Sequence, residues 1–297
     1  MSDTLLVTGA SGHLGRRVIA HLLESNGVAP GRIVAATRDP AKLSDLAAKG
    51  IKVVAADFED AASLSAAFAG VGRLLLISTD ALDKPGRRLA QHEAAVAAAK
   101  AAGVKHIVYT SMPNPDDSLI PFAPDHLGTE QAIKASGLSY TLLRNSWYMD
   151  NMFLPLPPVL ASGQWFTSAG EGRIANVSRE DCARAAATAL ASSDTTARTY
   201  DITGPESLTV SEIAAIVSEV FERPIAVVQV SDEQLTQGMI AAGVPDFMAP
   251  LWTSFDANTR EGKMNIQTDA VEELTGTAPM TLKAFLAANK AAFAKAA

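Results

Sequence analysis

The residues best suited to chemistry in this chain are three evenly spaced glycines, Gly9, Gly12 and Gly15. They follow an apolar run that ends at Val7 and precede a segment in which apolar residues recur at helical spacing. A strand, a glycine turn and a helix in this order are typical of a dinucleotide-binding site. In this interpretation Gly9 permits the tight turn, Gly12 lets the main chain approach a pyrophosphate, and Gly15 lets helix and strand pack closely. A glycine-rich loop without a ligand is the alternative.

The end of the second predicted strand distinguishes NADP from NAD. A carboxylate there binds the ribose 2′-hydroxyl of NAD, whereas cations bind the 2′-phosphate of NADP. Arg38 and Lys42 supply cations, which predicts NADPH rather than NADH, although a solvated basic pair is the alternative. Asp39 is the competing acid, but Pro40 after it favours a helix cap. Asp57 is a candidate acceptor for the adenine amino group or, equally, the cap of the next helix.

The elements that must position these residues alternate between strand and helix patterns over the first half of the chain. Strands are predicted at 4–8, 32–37, 51–56, 73–78, 106–110 and 140–144, and helices at 13–25, 40–49, 60–69, 86–102 and 124–136. Short apolar strands separated by helices predict an α/β fold with a Rossmann-type, doubly wound parallel sheet.

The alternation becomes less regular after about Asn145. Later helices are predicted at 179–192, 209–221, 231–242 and 280–296, and short strands at 174–177, 199–203 and 225–230. We therefore predict an NADP-binding domain over residues 1–149 and a smaller α/β lobe over 150–297 that covers the substrate. The strand near 199–203 is a candidate for return to the main sheet.

Composition limits the class of protein. The 297 residues are 48% hydrophobic, which is enough for a sizeable core. A net charge of −7 argues against a nucleic-acid-binding surface, and a single cysteine, Cys182, excludes a cysteine-based metal site. With no apolar run long enough to cross a bilayer and no leader pattern, we expect a cytoplasmic protein without membrane insertion or a metal.

Several segments together resemble the NmrA-like branch of the atypical short-chain dehydrogenases. The segments that carry the resemblance are 7–15, 36–42, 74–78, 98–111 and 140–148. The resemblance is to quinone- and dye-reducing members, which implies NADPH in the Rossmann domain and substrate beneath the C-terminal lobe. It implies that the cofactor is lined by Gly9, Ala10, Ser11, Gly12, His13, Arg38, Ser78 and Thr79, with Asn145 near the nicotinamide. Leu14 and Gly15 of the same glycine turn are also predicted to contact the cofactor.

One motif of ordinary short-chain dehydrogenases is missing. Their Tyr-x-x-x-Lys pair protonates an alkoxide, but here the corresponding helix has His126 and Glu130, and none of the four tyrosines precedes a lysine by four residues. An alkoxide has a conjugate-acid pKa of about 15.7, whereas a hydroquinone anion resembles a phenolate near 10. The anion is therefore less basic by about 8 kcal/mol. This difference favours a quinone-like or other delocalised acceptor over a simple ketone.

The remaining candidates for chemistry have modest roles, each with a structural alternative. His126 could donate a hydrogen bond or a proton to the reduced acceptor, or be an ordinary helix histidine. Ser111 follows the fifth strand and could polarise a carbonyl, or cap a turn. The residues predicted to contact substrate are apolar or aromatic and could equally be core: Met112, Phe122, Trp147, Tyr148 and Phe153.

The sequence leaves several functions open. An NADPH-dependent reductase of a small quinone-like acceptor is the main hypothesis. Reduction of dyes, azo compounds or conjugated enones is a chemical alternative, and a redox sensor that binds NADP(H) without turnover is an alternative of another class. An epimerase of nucleotide sugars is disfavoured, because it also requires the missing tyrosine. A homodimer is one of the oligomeric states left open.

Overall fold

A parallel seven-stranded sheet forms the centre of the computed structural model, which describes residues 3–296. The strands are β1 (Leu5–Val7), β2 (Ile33–Thr37), β3 (Lys52–Ala55), β4 (Arg73–Leu76), β5 (His106–Ser111), β6 (Ser139–Asn145), β7 (Gln164–Thr167), β8 (Arg173–Ile174), β9 (Arg198–Ile202), β10 (Leu208–Thr209) and β11 (Ala226–Gln229). The main sheet has the order β3-β2-β1-β4-β5-β6-β9, and its neighbouring strands are all parallel. The order reverses between β1 and β4, where such sheets bind ligands beyond the carboxyl ends of their strands. The predicted Rossmann-type fold is confirmed.

Helices connect the strands and cover the sheet. They are α1 (His13–Glu24), α2 (Ser44–Ala48), α3 (Ala61–Phe68), α4 (Arg87–Ala101), α5 (Ala123–Ser136), α6 (Leu156–Ser162), α7 (Arg179–Ala191), α8 (Val210–Phe221), α9 (Asp232–Ala241), α10 (Ala249–Arg260), α11 (Ala270–Thr275) and α12 (Leu282–Ala296). Short 3₁₀ segments lie at Pro30–Arg32, Pro40–Leu43 and Met149–Phe153. Among the residues described, no helix is both long and apolar enough to span a membrane.

Alternate residues of each strand build two cores, one on each face of the sheet. Leu5 and Val7 pack with residues of α1, α2, α7 and α11. Leu6, which points to the other face, packs with residues of α3, α4 and α5. Since both faces are covered, the strands show continuous apolar runs rather than alternation. Cys182 of α7 is buried in the first core.

The second half of the chain contributes to the main sheet and also forms smaller units. β9 pairs with β6 at the edge of the sheet, and the β6–β9 connection includes α7, which packs on α1. A separate core joins α6, α8 and α12 around Phe285 and Phe293. β10 pairs antiparallel with β8, and β11 pairs parallel with β7. The division of the chain at residue 150 stays a prediction.

The sequence prediction was incomplete in this half. The strand expected at 174–177 is reduced to β8, because Val177 forms only an isolated bridge with Tyr148. The prediction omitted β7, α6, α10 and α11. α10 matters most, because it carries Phe255 to the edge of the sheet where the predicted site residues lie.

Candidate active site

The glycine turn has the geometry that its sequence predicts. Gly9 has a φ of +58°, a conformation that residues with a Cβ rarely adopt. A Cβ on Gly15 would collide with the carbonyl oxygen of Gly9 and lie 2.8 Å from the Cα of Ala10. Gly12 is the N-cap residue of α1, and among the described residues no side chain caps this helix. The first N–H groups of α1 are therefore available to a phosphate at the β1/β4 reversal.

Threonine and serine hydroxyls fix the strands around this turn. Thr8 Oγ1 donates to the carbonyl of Leu75 at 3.1 Å and accepts from the N–H of Ile77 at 2.9 Å. Ser11 and Thr37 form a hydroxyl–hydroxyl hydrogen bond of 2.9 Å. These bonds hold the ends of β1, β2 and β4 in one arrangement.

The predicted NADP-selecting residues lie on the surface after β2. Arg38 and Lys42 are both exposed, and within residues 3–296 neither side chain forms an ion pair. Asp39 caps the next 3₁₀ segment by accepting from the N–H of Ala41 at 3.1 Å, as predicted. Its carboxylate is therefore committed to the main chain, while the two cations are available to a 2′-phosphate.

Asp57 does not cap the helix that follows it. That cap is Asp60, which accepts from the N–H groups of Ala62 and Ser63. Asp57 instead accepts from the N–H of Glu59 at 3.0 Å and remains partly exposed after β3. The capping alternative for Asp57 was therefore wrong, and its adenine contact stays a prediction.

Ser111 ends β5 and donates its hydroxyl hydrogen to Glu130 of α5 at 2.7 Å. Glu130 is fully buried and also accepts from Arg144 at 2.9 and 2.8 Å. Burial opposes ionisation of this carboxyl, but hydrogen bonds from Arg144 and Ser111 hold its pKa below its ordinary value. To polarise an acceptor carbonyl, Ser111 would have to break its bond to a carboxylate. Its catalytic role stays a prediction.

His126 is buried in α5 with both ring nitrogens occupied. Arg88 Nη2 lies 2.9 Å from Nε2, and the hydroxyl of Tyr109 lies 2.9 Å from Nδ1. Because arginine only donates, Nε2 must accept, which leaves the ring hydrogen on Nδ1. Burial first, and then the Arg88 charge, lower the pKa of His126 well below its ordinary value. The ring is therefore neutral near pH 7, which does not favour the predicted role as a proton donor.

Two side chains of α4 form hydrogen bonds with the main chain of Thr79, in the loop after β4. Arg88 Nε donates to the Thr79 carbonyl at 2.7 Å, and the Thr79 N–H donates to His92 Nε2 at 3.0 Å. His92 Nδ1 lies 2.9 Å from the hydroxyl of Thr129, which fixes the ring. The neighbouring N–H of Ser78 donates to Thr110 Oγ1 at 2.9 Å. The loop predicted to line the cofactor is thus held by side chains from α4 and β5.

Three aromatic side chains form what we call the aromatic wall: Phe122, Trp147 and Phe255. The ring centroids of Trp147 and Phe255 are 3.9 Å apart, and those of Phe122 and Phe255 are 6.1 Å apart. Met112 packs in the same cluster. Trp147 follows β6 and Met112 follows β5, so the wall lies beyond the carboxyl ends of these strands. Phe255 was missed, because the sequence prediction contained no helix at 249–260.

The other two predicted substrate residues lie outside this cluster. The hydroxyl of Tyr148 accepts from Asn145 Nδ2 at 3.0 Å, and the Arg179 guanidinium lies over its ring at 5.2 Å. Phe153 stacks on Phe293 with centroids 4.2 Å apart, in the core of the C-terminal helices. The structure therefore does not bring Phe153 together with the aromatic wall.

Asn145 offers a free acceptor at the end of β6. Its Oδ1 is buried and has no hydrogen-bond partner among residues 3–296, while its Nδ2 is used by Tyr148. A buried acceptor without a partner is costly, and a ligand N–H is one way to satisfy it. The carboxamide of a nicotinamide provides such a donor. The residues present therefore fit a nicotinamide dinucleotide, whereas no group of acidic, histidine or cysteine side chains among those described could hold a metal.

The loop between β5 and α5 is docked onto α10. Asn258 Oδ1 accepts from Ser118 Oγ at 3.1 Å and from the N–H of Leu119 at 2.8 Å. Asn114 Nδ2 donates to the carbonyl of Lys263 at 2.9 Å. α10 itself is anchored by Asp256, which accepts from Thr167 Oγ1 at 2.6 Å. These contacts fix Phe255 relative to Phe122.

Strand order and glycine turn together define a Rossmann-type dinucleotide-binding protein. The chain belongs to the NmrA-like family, whose model matches residues 1–286. The resemblance found in the sequence is thereby confirmed.

Characterised relatives match nearly the whole chain. Quinone oxidoreductase 2 of Escherichia coli is 36% identical over 278 residues, which are 94% of this chain and 96% of that protein. The NAD(P)H azoreductase of Xenophilus azovorans is 29% identical over 297 residues, covering 98% of this chain and 100% of that protein.

Two solved structures have the same fold. The E. coli quinone oxidoreductase QOR2 in complex with NADPH matches with a TM-score of 0.89 at 35% identity, over 94% of this chain and 97% of that one. Triphenylmethane reductase of Citrobacter sp. in complex with NADP(H) matches with a TM-score of 0.88 at 37% identity, over the same shares of 94% and 97%.

Proposed function

We propose that this protein is an NADPH-dependent oxidoreductase that transfers a hydride to a flat, quinone-like small molecule. The observation that carries the proposal is the position of the glycine turn and the aromatic wall at the same edge of the sheet. This arrangement can hold a dinucleotide and a planar ring side by side. Quinone oxidoreductase and azoreductase are the names of two of the relatives.

The chain's own residues account for binding and orientation. The N–H groups at the start of α1 would bind the pyrophosphate, and Arg38 with Lys42 would bind the 2′-phosphate. Asn145 Oδ1, which has no partner in residues 3–296, would accept a hydrogen bond from the nicotinamide carboxamide. When bound, NADPH supplies a hydride. The NADP(H)-bound state of the matching structures supports this choice of cofactor.

Proton delivery needs no dedicated side chain. His126 is neutral and held by Arg88 and Tyr109, and Ser111 is bonded to Glu130. A hydroquinone anion is weakly basic, so water can protonate it after hydride transfer. We therefore assign His126 and Ser111 to positioning. A cytoplasmic location and a homodimer stay predictions.

Steady-state oxidation of NADPH over a panel of acceptors tests the function. We expect enzyme-dependent loss of NADPH absorbance with 1,4-benzoquinone and 1,4-naphthoquinone, and none with cyclohexanone. The saturated ketone is the matched control, since its reduction requires the missing proton donor. Tight NADPH binding without turnover of any acceptor would favour the redox-sensor alternative and overturn the proposal.

A further inference from the structure

Arg88 is a buried cation to which the proposed reaction assigns no direct role. Its side chain is 6% exposed, and no ion pair among the described residues includes it. Nε and Nη2 donate to the carbonyl of Thr79 and to His126, whereas the buried Nη1 has no partner in residues 3–296. Burying a guanidinium in this way costs several kcal/mol unless something compensates it.

Two other arginines are compensated: Arg73, which is buried, and Arg144, which is partly buried. Arg73 donates to the carbonyls of Ala189 and Leu190 at the C-terminal end of α7, where the helix dipole is negative. Arg144 forms two hydrogen bonds with the Glu130 carboxylate. Arg88 instead faces two neutral groups, a carbonyl and an imidazole. Its charge is therefore free to act on a ligand.

In the part of the chain that the structure describes, no carboxylate forms an ion pair with Arg88. Burial lowers the pKa of Arg88, but a guanidinium remains a cation at neutral pH. His92 and His126 face it in their neutral forms. Asp125 and Asp80 attract its charge from outside hydrogen-bond range. In a buried region of low dielectric, a single charge is felt over several ångströms.

The charge lies next to one ring of the aromatic wall, that of Phe122. The Cζ atom of Arg88 is 5.2 Å from the centroid of the Phe122 ring, and Phe122 in turn contacts Phe255. An acceptor stacked on this wall is therefore close to a positive charge that forms no ion pair among the described residues.

We propose that Arg88 determines acceptor specificity by favouring acceptors that become anions over acceptors that are cations. This inference rests on the proposed function. A neutral quinone accepts a hydride, that is one proton and two electrons, from NADPH to give a hydroquinone anion and NADP⁺, and a proton from water completes the hydroquinone. A cationic triarylmethane dye gains the same hydride at its central carbon and becomes neutral. The Arg88 charge stabilises the first product and repels the second substrate.

The test compares kcat/KM for 1,4-naphthoquinone with kcat/KM for malachite green, a cationic dye. In Arg88→Met we expect the quinone-to-dye ratio to fall about 10-fold or more, the size of one charge-assisted contact. Arg88→Lys keeps the charge and should keep most of the ratio. The matched control is Arg87→Met, which removes a neighbouring, partly exposed arginine paired with Glu59 and Asp83 and should leave the ratio unchanged. Equal losses for both acceptors in Met and Lys variants would indicate a purely structural role and overturn the inference.

A second measurement compares the wild type with Arg88→Met, both loaded with NADP⁺. Inhibition by 4-nitrophenol is measured above and below the pKa of this phenol. Because the nicotinamide ring of NADP⁺ also carries a positive charge, the difference between the two proteins reports on Arg88. We expect the preference for the phenolate over the neutral phenol to be smaller in Arg88→Met, and an equal preference in both proteins would overturn the inference. If the wild type reduces neither acceptor, the proposed function fails, but this comparison still decides whether Arg88 selects anions.

Discussion

The polar side chains predicted to be catalytic, Ser111 and His126, form hydrogen bonds with other protein groups and are not arranged for proton transfer to a substrate. Ser111 donates to a carboxylate, and His126 is a neutral ring between Arg88 and Tyr109. The sequence identified both residues by their positions, but hydrogen-bond partners depend on tertiary contacts. Their arrangement favours a site that orients an acceptor and stabilises charge. This chemistry is sufficient for a weakly basic product.

We propose that the choice between NADPH and NADH depends on Arg38. Replacing it with alanine should weaken NADPH binding tens-fold, since a charge-assisted contact contributes about 1.5–3 kcal/mol, and should change NADH binding little. Fluorescence titration with both cofactors measures the effect. Arg198→Ala is a matched control, because this exposed arginine begins β9 at the opposite, amino end of the sheet. Equal weakening of NADPH and NADH would show that another residue holds the 2′-phosphate.

The positions of two residues, Arg88 and Phe255, could not be predicted from the sequence. Arg88 belongs to an Arg-Arg pair on a helix, which is the pattern of a solvated surface, yet Arg87 is partly exposed and Arg88 is buried. Phe255 lies in a polar segment far along the chain from Phe122 and Trp147. Only packing brings these three rings together. The glycine turn, in contrast, was predictable, because its conformation is set locally.

At the level of elements, the strands and helices of the first half were predicted to within a few residues. Their apolar runs and caps are local signals, and Asp39 and Asp60 both cap as their positions suggest. α10 was not predicted, because contacts from other elements hold it, including Asp256 with Thr167. Its role is to join the β5–α5 loop to the aromatic wall.

The docking of that loop on α10 can be tested at Asn258. Asn258→Ala leaves the N–H of Leu119 and the hydroxyl of Ser118 without their acceptor, at a cost of about 1–3 kcal/mol. We expect faster hydrogen exchange at the Leu119 amide and a higher KM for quinone, with NADPH affinity unchanged. Asn289→Ala, which removes a similar amide from α12, is the control. An unchanged exchange rate at Leu119 would contradict this role of α10.

For the whole molecule, three buried histidines predict how stability depends on pH. Burial lowers the pKa of His92 to about 3 and that of His106 to about 4, and it lowers that of His126 well below its ordinary value. In the unfolded chain these pKa values are about 6.5, so the unfolded state binds more protons as pH falls below 6.5. Their contribution to stability is complete above that pH and is lost as pH falls toward 4.

Between pH 6.5 and about 4, each of these histidines can lower the free energy of unfolding by about 1.4 kcal/mol for each unit that the pH falls. We expect the free energy of unfolding, measured with urea, to be lower at pH 5.5 than at pH 7.5. Asp201 and Asp256, whose carboxyl pKa values burial raises, act in the opposite direction toward the acid end. In His106→Gln the difference in the free energy of unfolding between the two pH values should be smaller by the contribution of one histidine. Equal stability at the two pH values would mean that these rings are not neutral in the folded protein.

The fold brings the glycine turn and the aromatic wall to one edge of a single sheet. Our central claim is that a hydride passes directly from NADPH bound at the glycine turn to an acceptor bound at the aromatic wall. The most direct test is single-turnover oxidation of protein-bound NADPH, normal or doubly deuterated at C4, on mixing with excess 1,4-naphthoquinone. We predict oxidation that depends on quinone and is slower for the deuterated cofactor. Bound NADPH that stays reduced in excess quinone would contradict the account.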